Sequence, residues 1–90
     1  MTVYISIPMT HWEYTGGQKK IALDSTTLAG ALSRLHRAFP DLNGRLLDDG
    51  GRLCPGIEVA VNNREIFPFD PDYRLKQDDQ IRISSIITGG

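Results

Sequence analysis

From Thr2 to Pro8, the apolar residues Val3, Ile5 and Ile7 alternate with Tyr4 and Ser6, the spacing of a strand that buries one face. Met9 to Tyr14 lacks a regular period, and Thr15-Gly16-Gly17-Gln18 carries turn residues. Ile21 and Leu23 then alternate with Lys20 and Ala22. The two alternating segments predict an antiparallel hairpin. Leu28, Ala31, Leu32, Leu35, Ala38 and Phe39 recur at helical spacing, with Ser33, Arg34 and Arg37 on the opposite face. Asp24 or Ser25 is placed to accept hydrogen bonds from the unpaired amides of the helix start. Pro40 forces the residue before it out of the helical region, so the expected helix spans roughly Thr26 to Phe39, about four turns. Gly30 inside it costs about 1 kcal/mol relative to alanine, a cost the helix tolerates if the bare backbone packs closely on the sheet.

Pro40 to Gly56 is rich in Gly, Pro, Asp and Asn and reads as a long surface connection, anchored by Leu46 and Leu47. Ile57, Val59 and Val61 alternate with Glu58 and Ala60 as a third strand, and Asn62-Asn63 suits the positive φ angles of a tight hairpin turn. Arg64 to Phe67 is expected to return as a short strand, ended by Pro68, which has no amide for the ladder. After a proline-punctuated loop and a turn at Lys76 to Gln80, Ile81, Ile83, Ser85 and Ile87 alternate with Arg82, Ser84 and Ile86. Only Thr88-Gly89-Gly90 follows. This order predicts an α+β fold in which a mixed sheet of four to five strands packs against one main helix, the β-grasp arrangement, with the first and last strands paired at its centre. Residues 1–90 are expected to form a single domain with a flexible tail at 88–90.

Composition narrows the function. Ten Lys and Arg against eleven Asp and Glu leave a formal charge of −1, which gives no attraction for nucleic acid. No apolar run approaches the ~20 residues of a membrane span, and the first residues do not read as a leader, so a cytoplasmic protein is expected. Cys54 is the single cysteine, and with only His11 and His36 beside it the chain offers no zinc-ligand spacing. Ser25, Ser33, Ser84 and Ser85 lack the context of an activated nucleophile. Cys54 has no evident basic cluster to lower its pKa and reads as a structural thiol. Asp48-Asp49 and Asp78-Asp79 read as solvated turn residues, and Gly16-Gly17 and Gly50-Gly51 lack the Gly-Lys-Ser/Thr ending of a phosphate loop. What remains is Gly89-Gly90 after an apolar strand. These residues have no side chain to obstruct close approach by another protein.

Several segments resemble, in order and spacing, the CysO-like branch of the MoaD/ThiS family of ubiquitin-like sulfur carriers, across essentially the whole chain. They are Ile7-Pro8 with Thr15-Gly16-Gly17-Gln18-Lys19, Thr27-Leu28, Phe39-Pro40-x-Leu42, Arg45-Leu46-Leu47-Asp48, Val59-x-Val61-Asn62, Leu75-Lys76-x-Asp78 and Gly89-Gly90. The chain departs from that pattern at Asn62-Asn63, where the family often has Asn-Gly. It departs again at Asp78-Asp79-Gln80, where the family has Asp-Gly-Asp, and at Ser84 to Thr88, which lacks the prolines many members carry there.

The resemblance implies a cosubstrate and not a catalyst. A ubiquitin-activating-type adenylyltransferase and sulfurtransferase would use ATP and Mg to adenylate the Gly90 carboxylate. Sulfur would then displace AMP to leave a thiocarboxylate, with Gly89 and Thr88 threading the enzyme channel. The chain itself would hold no cofactor or metal. The implied partners are a sulfur-accepting biosynthetic enzyme, such as a PLP-dependent cysteine synthase, and a JAMM-type zinc metalloprotease that releases the product. Cysteine or another sulfur amino acid is the favoured product, with molybdopterin or another sulfur metabolite as the alternative. Partner docking is expected on the sheet face away from the helix, where Tyr4, Ser6, Ala60, Arg82, Ser84 and Ile86 should lie. Ile86, Ile87, Arg82 and Tyr4 are the candidate docking residues. Phe67, Phe69 and Trp12 are expected to pack locally. Two other readings stay open: a ubiquitin-like modifier joined through Gly90 to lysines, and an interaction module in which the glycines are incidental.

Overall fold

The alternation at the start of the chain becomes a regular ladder. In a computed structural model, which describes residues 1–86, strand β1 (Thr2–Ser6) pairs antiparallel with β2 (Lys20–Asp24), Val3 lying opposite Leu23 and Ile5 opposite Ile21. Helix α1 (Leu28–Ala38) follows, then β3 (Ile57–Val61), the two-residue β4 (Arg64–Glu65) and β5 (Gln80–Ser85). The strands form one mixed sheet in the order β2-β1-β5-β3-β4. β5 lies at its centre, parallel to β1 and antiparallel to β3, so the β-grasp fold is present with five strands. Val3, Ile5, Val59, Ile81 and Ile83 meet Leu28, Ala31, Leu32 and Leu35 in one buried cluster. Fully burying a leucine such as Leu35 is worth about 1.5–3 kcal/mol, which holds α1 to the sheet.

Where the chain departs from its periodic segments, local hydrogen bonding decides the structure. Met9–Thr15 is a 3-10 helix and not irregular chain. The Trp12 indole donates to the Ile7 carbonyl at 2.8 Å, and the hydroxyl of buried Thr15 lies within donating distance of the Trp12 and Gln18 carbonyls. Gly16 ends the helix at φ 64°, a left-handed conformation open to glycine.

The cap of α1 is Thr27, not Asp24 or Ser25: its hydroxyl accepts the Gly30 amide at 3.1 Å, while Asp24 stays in β2 opposite Thr2. Ser25 supports the cap by donating to the Thr27 carbonyl at 2.7 Å. Gly30 therefore serves the cap and not the sheet, since a Cβ there would sit 2.6 Å from the Ser25 hydroxyl oxygen. At the other end α1 stops at Ala38, which is exposed despite its apolar spacing.

Pro40 to Gly56 is more than a surface connection. A 3-10 turn at Pro40–Leu42 buries Leu42, and Leu46 is buried beside it. Leu47 is half-buried and bridges to Leu53. Asn62 and Asn63 take φ 52° and 68° in the β3–β4 turn, as their residue type allows. The return strand ends at Glu65 instead of Phe67. Ile66 turns inward, donating its amide to the Val59 carbonyl at 2.9 Å. Phe67 faces outward at 84% exposure, so it is not packed locally, whereas Phe69 and Trp12 are packed against the core. Two polar-face expectations also change. Asp79 is buried at 8% exposure, and Ala60, although in register with Arg82 and Glu65, is buried at 7%.

Candidate functional site: the outgoing end of the central strand

Sheet topology puts the outgoing end of β5 in the middle of the sheet, since β5 is flanked by β1 on one side and β3 on the other. Its final rungs pair Ile57 with Ser85 and Glu58 with Ser84. One residue on, the Ile86 amide donates to the Gly56 carbonyl at 2.7 Å. Gly56 has φ +85°, and a Cβ there would lie 2.9 Å from the Ile86 carbonyl oxygen. Glycine is required on both counts. This clamp is made of backbone alone and leaves the Ile86 side chain 50% exposed. Ile87, Thr88, Gly89 and Gly90, which carry the tail chemistry inferred from sequence, lie outside the described residues.

The other candidate docking residues occupy the sheet face away from α1. Arg82 is exposed in the row formed by Lys20, Ser6, Arg82 and Ala60, and Tyr4 is half-buried one row away, opposite Gln80. At about 3.3 Å per residue, Arg82 stands about 13 Å along the strand from Ile86, and Tyr4 about 20 Å. The fold therefore places Ile86 at the outgoing end of β5 and Tyr4, on β1, beside the start of β5. What borders the outgoing end instead is a groove of about 230 Å³, lined by Leu53, Cys54, Ile57, Ile66, Phe67 and Phe69 among others. The signal for Phe67 was in the sequence. It follows inward-facing Ile66 and precedes Pro68, so the alternation turns it outward.

Among the described residues, Cys54, His11 and Asp48 sit in local structural contacts. The Cys54 thiol is half-buried and points to the Gly44 carbonyl at 3.4 Å. Burial and the nearby Asp48 carboxylate push its pKa up, which disfavours the reactive thiolate. His36 has a buried Nε2 without a hydrogen-bond partner, and burial lowers its pKa. His11 is tied to Thr10 and to the Arg45 carbonyl. Asp48 accepts the Gly50 and Arg52 amides and so organises its own loop. Among the described residues no group of three or more His, Cys, Asp or Glu is arranged to hold a metal ion. No helix among them is long and apolar enough to cross a membrane.

Sulfur carrier protein CysO from Mycobacterium tuberculosis, and the same protein from Mycobacterium bovis, are 28% identical to this chain over 93 residues, covering all of both sequences. The chain is similar to the CysO sulfur carriers over its whole length. No protein-family model matches it. The M. tuberculosis CysO crystal structure superposes with a TM-score of 0.83 at 26% identity, covering 94% of this chain and 99% of CysO. The BexX/CysO complex from Amycolatopsis orientalis contains a chain that matches with a TM-score of 0.86 at 25% identity, covering 98% and 99%. SAMP1 from Haloferax volcanii shares the fold, with a TM-score of 0.85 at 22% identity over the whole of both chains. CysO-like features thus extend over the full length and are not confined to the last strand.

Proposed function

We propose that this protein is a sulfur carrier that acts as a cosubstrate through its C-terminus. In this reading a ubiquitin-activating-type enzyme, using ATP and Mg, joins the Gly90 carboxylate to AMP with loss of pyrophosphate. A sulfur nucleophile then attacks the activated carbonyl and AMP departs, leaving a thiocarboxylate. Its anionic sulfur can be passed to an acceptor without release of free sulfide. The observation that carries the reading is the full-length similarity to CysO. The fold supports it physically, because Ile86, at the outgoing end of the central strand, is held by a clamp made only of backbone.

Gly90 supplies the reacting carbonyl. Gly89, with Thr88 before it, presents a narrow backbone to an enzyme channel, and exposed Ile86 gives the enzyme an apolar contact beside the tail. The acceptor we favour is an enzyme of cysteine or related sulfur amino acid synthesis, such as a PLP-dependent cysteine synthase. A JAMM-type zinc metalloprotease would then release the amino acid. The carrier itself holds no cofactor, and it works in the cytoplasm, where ATP is available. The A. orientalis BexX/CysO complex is a precedent for a CysO protein that engages a second protein.

A modifier joined through Gly90 to lysines would share the first chemical step. The SAMP1 structures are 20–22% identical to this chain, and Urm1 from Trypanosoma brucei is 26% identical at a TM-score of 0.70, whereas CysO is 28% identical over the full length and its structure matches at 0.83, so the carrier reading leads. ATP–pyrophosphate exchange with the activating enzyme tests it. Deletion of Gly90, or Gly89→Val, abolishes exchange while the chain still unfolds cooperatively at the wild-type midpoint. Wild-type exchange rates in either variant would overturn the assignment.

A further inference from the structure

The far edge of the sheet from the β3–β4 hairpin carries a second surface. β2 is the outermost strand on that side. The Ile7 amide donates to the Lys19 carbonyl at 2.8 Å and the Ser25 amide to the Met1 carbonyl at 3.0 Å. In an antiparallel ladder, hydrogen-bonded and non-bonded pairs alternate, so residues 19, 21, 23 and 25 bond toward β1. The amides and carbonyls of Lys20, Ala22 and Asp24 therefore point away from the sheet, as an open template for another strand.

Beside that edge runs an open groove of about 360 Å³ between β2 and α1, lined by Ala22, Leu23, Asp24, Arg34, Arg37 and Ala38. Leu23 and Ala38 supply the apolar side chains on the helix side, while Ala22, opposite Tyr4, carries its methyl on the other sheet face. Ala38 lies at an apolar helical position yet is exposed, as expected if its cover comes from outside the chain. Arg34 and Arg37 are exposed along the helix wall. Asp24 is the one carboxylate lining the groove, and the Thr2 hydroxyl is directed at it at 3.3 Å. The two arginines thus give the groove a net positive charge.

We propose that this groove binds an extended, acidic segment of a partner protein, which adds to β2 as a further strand. Main-chain bonds to Lys20, Ala22 and Asp24 supply affinity, alternate apolar side chains of the segment meet Leu23 and Ala38 on the helix side, and its carboxylates pair with Arg34 and Arg37. Charge argues against a second copy of this chain as the occupant. Antiparallel pairing of two β2 strands would bring both pairs of arginines to one junction, where like charges repel. The surface is separate from Ile86, so a partner could hold it while the tail is engaged elsewhere.

The test uses the isotope-labelled full-length chain and a blocked peptide of about ten residues, long enough for one strand, in which valine and isoleucine alternate with glutamate. A second peptide carries lysine in place of glutamate. Amide shifts confined to residues 20–24 and 34–38, with slowed exchange at Ala22 and Asp24, are expected for the glutamate peptide. The R34E/R37E double variant loses about tenfold or more in affinity for it and gains affinity for the lysine peptide. Ala22→Pro removes an outward amide that β1 does not use, and abolishes binding. The charge reversal, on exposed helix positions, keeps the proposal testable if the proline variant fails to fold. Shifts centred on the opposite sheet edge or on the open sheet face would overturn it. So would equal affinity for both peptides, or concentration-dependent self-association through β2.

Discussion

The two ends of β5 are held by different means. At its start the Tyr4 amide donates to the Asp79 carbonyl at 3.0 Å, and the Asp78 amide to the Thr2 carbonyl at 2.7 Å. Asn62 ties the β3–β4 turn to this end: its side-chain amide donates to the Asp79 carboxylate at 2.8 Å, and its Oδ1 accepts the Gln80 amide at 2.9 Å. The other Asp79 carboxylate oxygen accepts the Lys76 amide at 2.7 Å. At the outgoing end, by contrast, the last described bond joins the Ile86 amide to the Gly56 carbonyl, and no side chain is used. The start of the strand is thus anchored by side chains gathered around buried Asp79, and its outgoing end by backbone alone, with the Ile86 side chain exposed.

Breaking the anchored end should have the largest effect on stability. Asp79→Ala leaves the Lys76 amide and the Asn62 side chain without their acceptor, at a cost of about 1–3 kcal/mol, measurable by urea unfolding. The thiocarboxylate-forming reaction should survive wherever the chain remains folded. Gly56→Ala tests the backbone clamp. A left-handed conformation costs a non-glycine residue about 1–2 kcal/mol, and displacement of the Ile86 carbonyl adds to this, so both stability and activation by the enzyme should fall. Ile86→Ser should be the mildest in stability, within about 0.5 kcal/mol as for most surface changes. Its effect should appear as a raised KM for the chain in the pyrophosphate exchange assay. Were Ile86→Ser to destabilise the chain as much as Asp79→Ala, the contrast between the two ends would fail.

The same contrast explains what the sequence made legible. Val3, Ile5, Ile57, Val59, Ile81 and Ile83 declare their strands because one buried face imposes a period of two, and Leu28, Leu32 and Leu35 declare the helix by the same logic. Asp79 was hidden because adjacent aspartates in a turn look solvated. Its burial depends on Asn62, seventeen positions earlier. Leu42 lies in aperiodic chain, so nothing local marked it as core. Thr27 replaced Asp24 as the cap because pairing with Thr2 keeps Asp24 in β2. The exposure of Ile86 was legible because it interrupts the polar face of its strand. The role of Gly56 was not, since it depends on the approach of a carbonyl thirty positions later.

Intact mass tests the chemistry of the terminus most directly. The Cys54→Ala chain should be used, so that sulfur added to the thiol cannot be mistaken for sulfur on the tail. After incubation with ATP, Mg, the activating enzyme and a sulfur source, the account predicts a mass gain equal to one sulfur replacing one oxygen, absent when Gly90 is deleted. An unchanged mass in the presence of an enzyme shown to be active would contradict it.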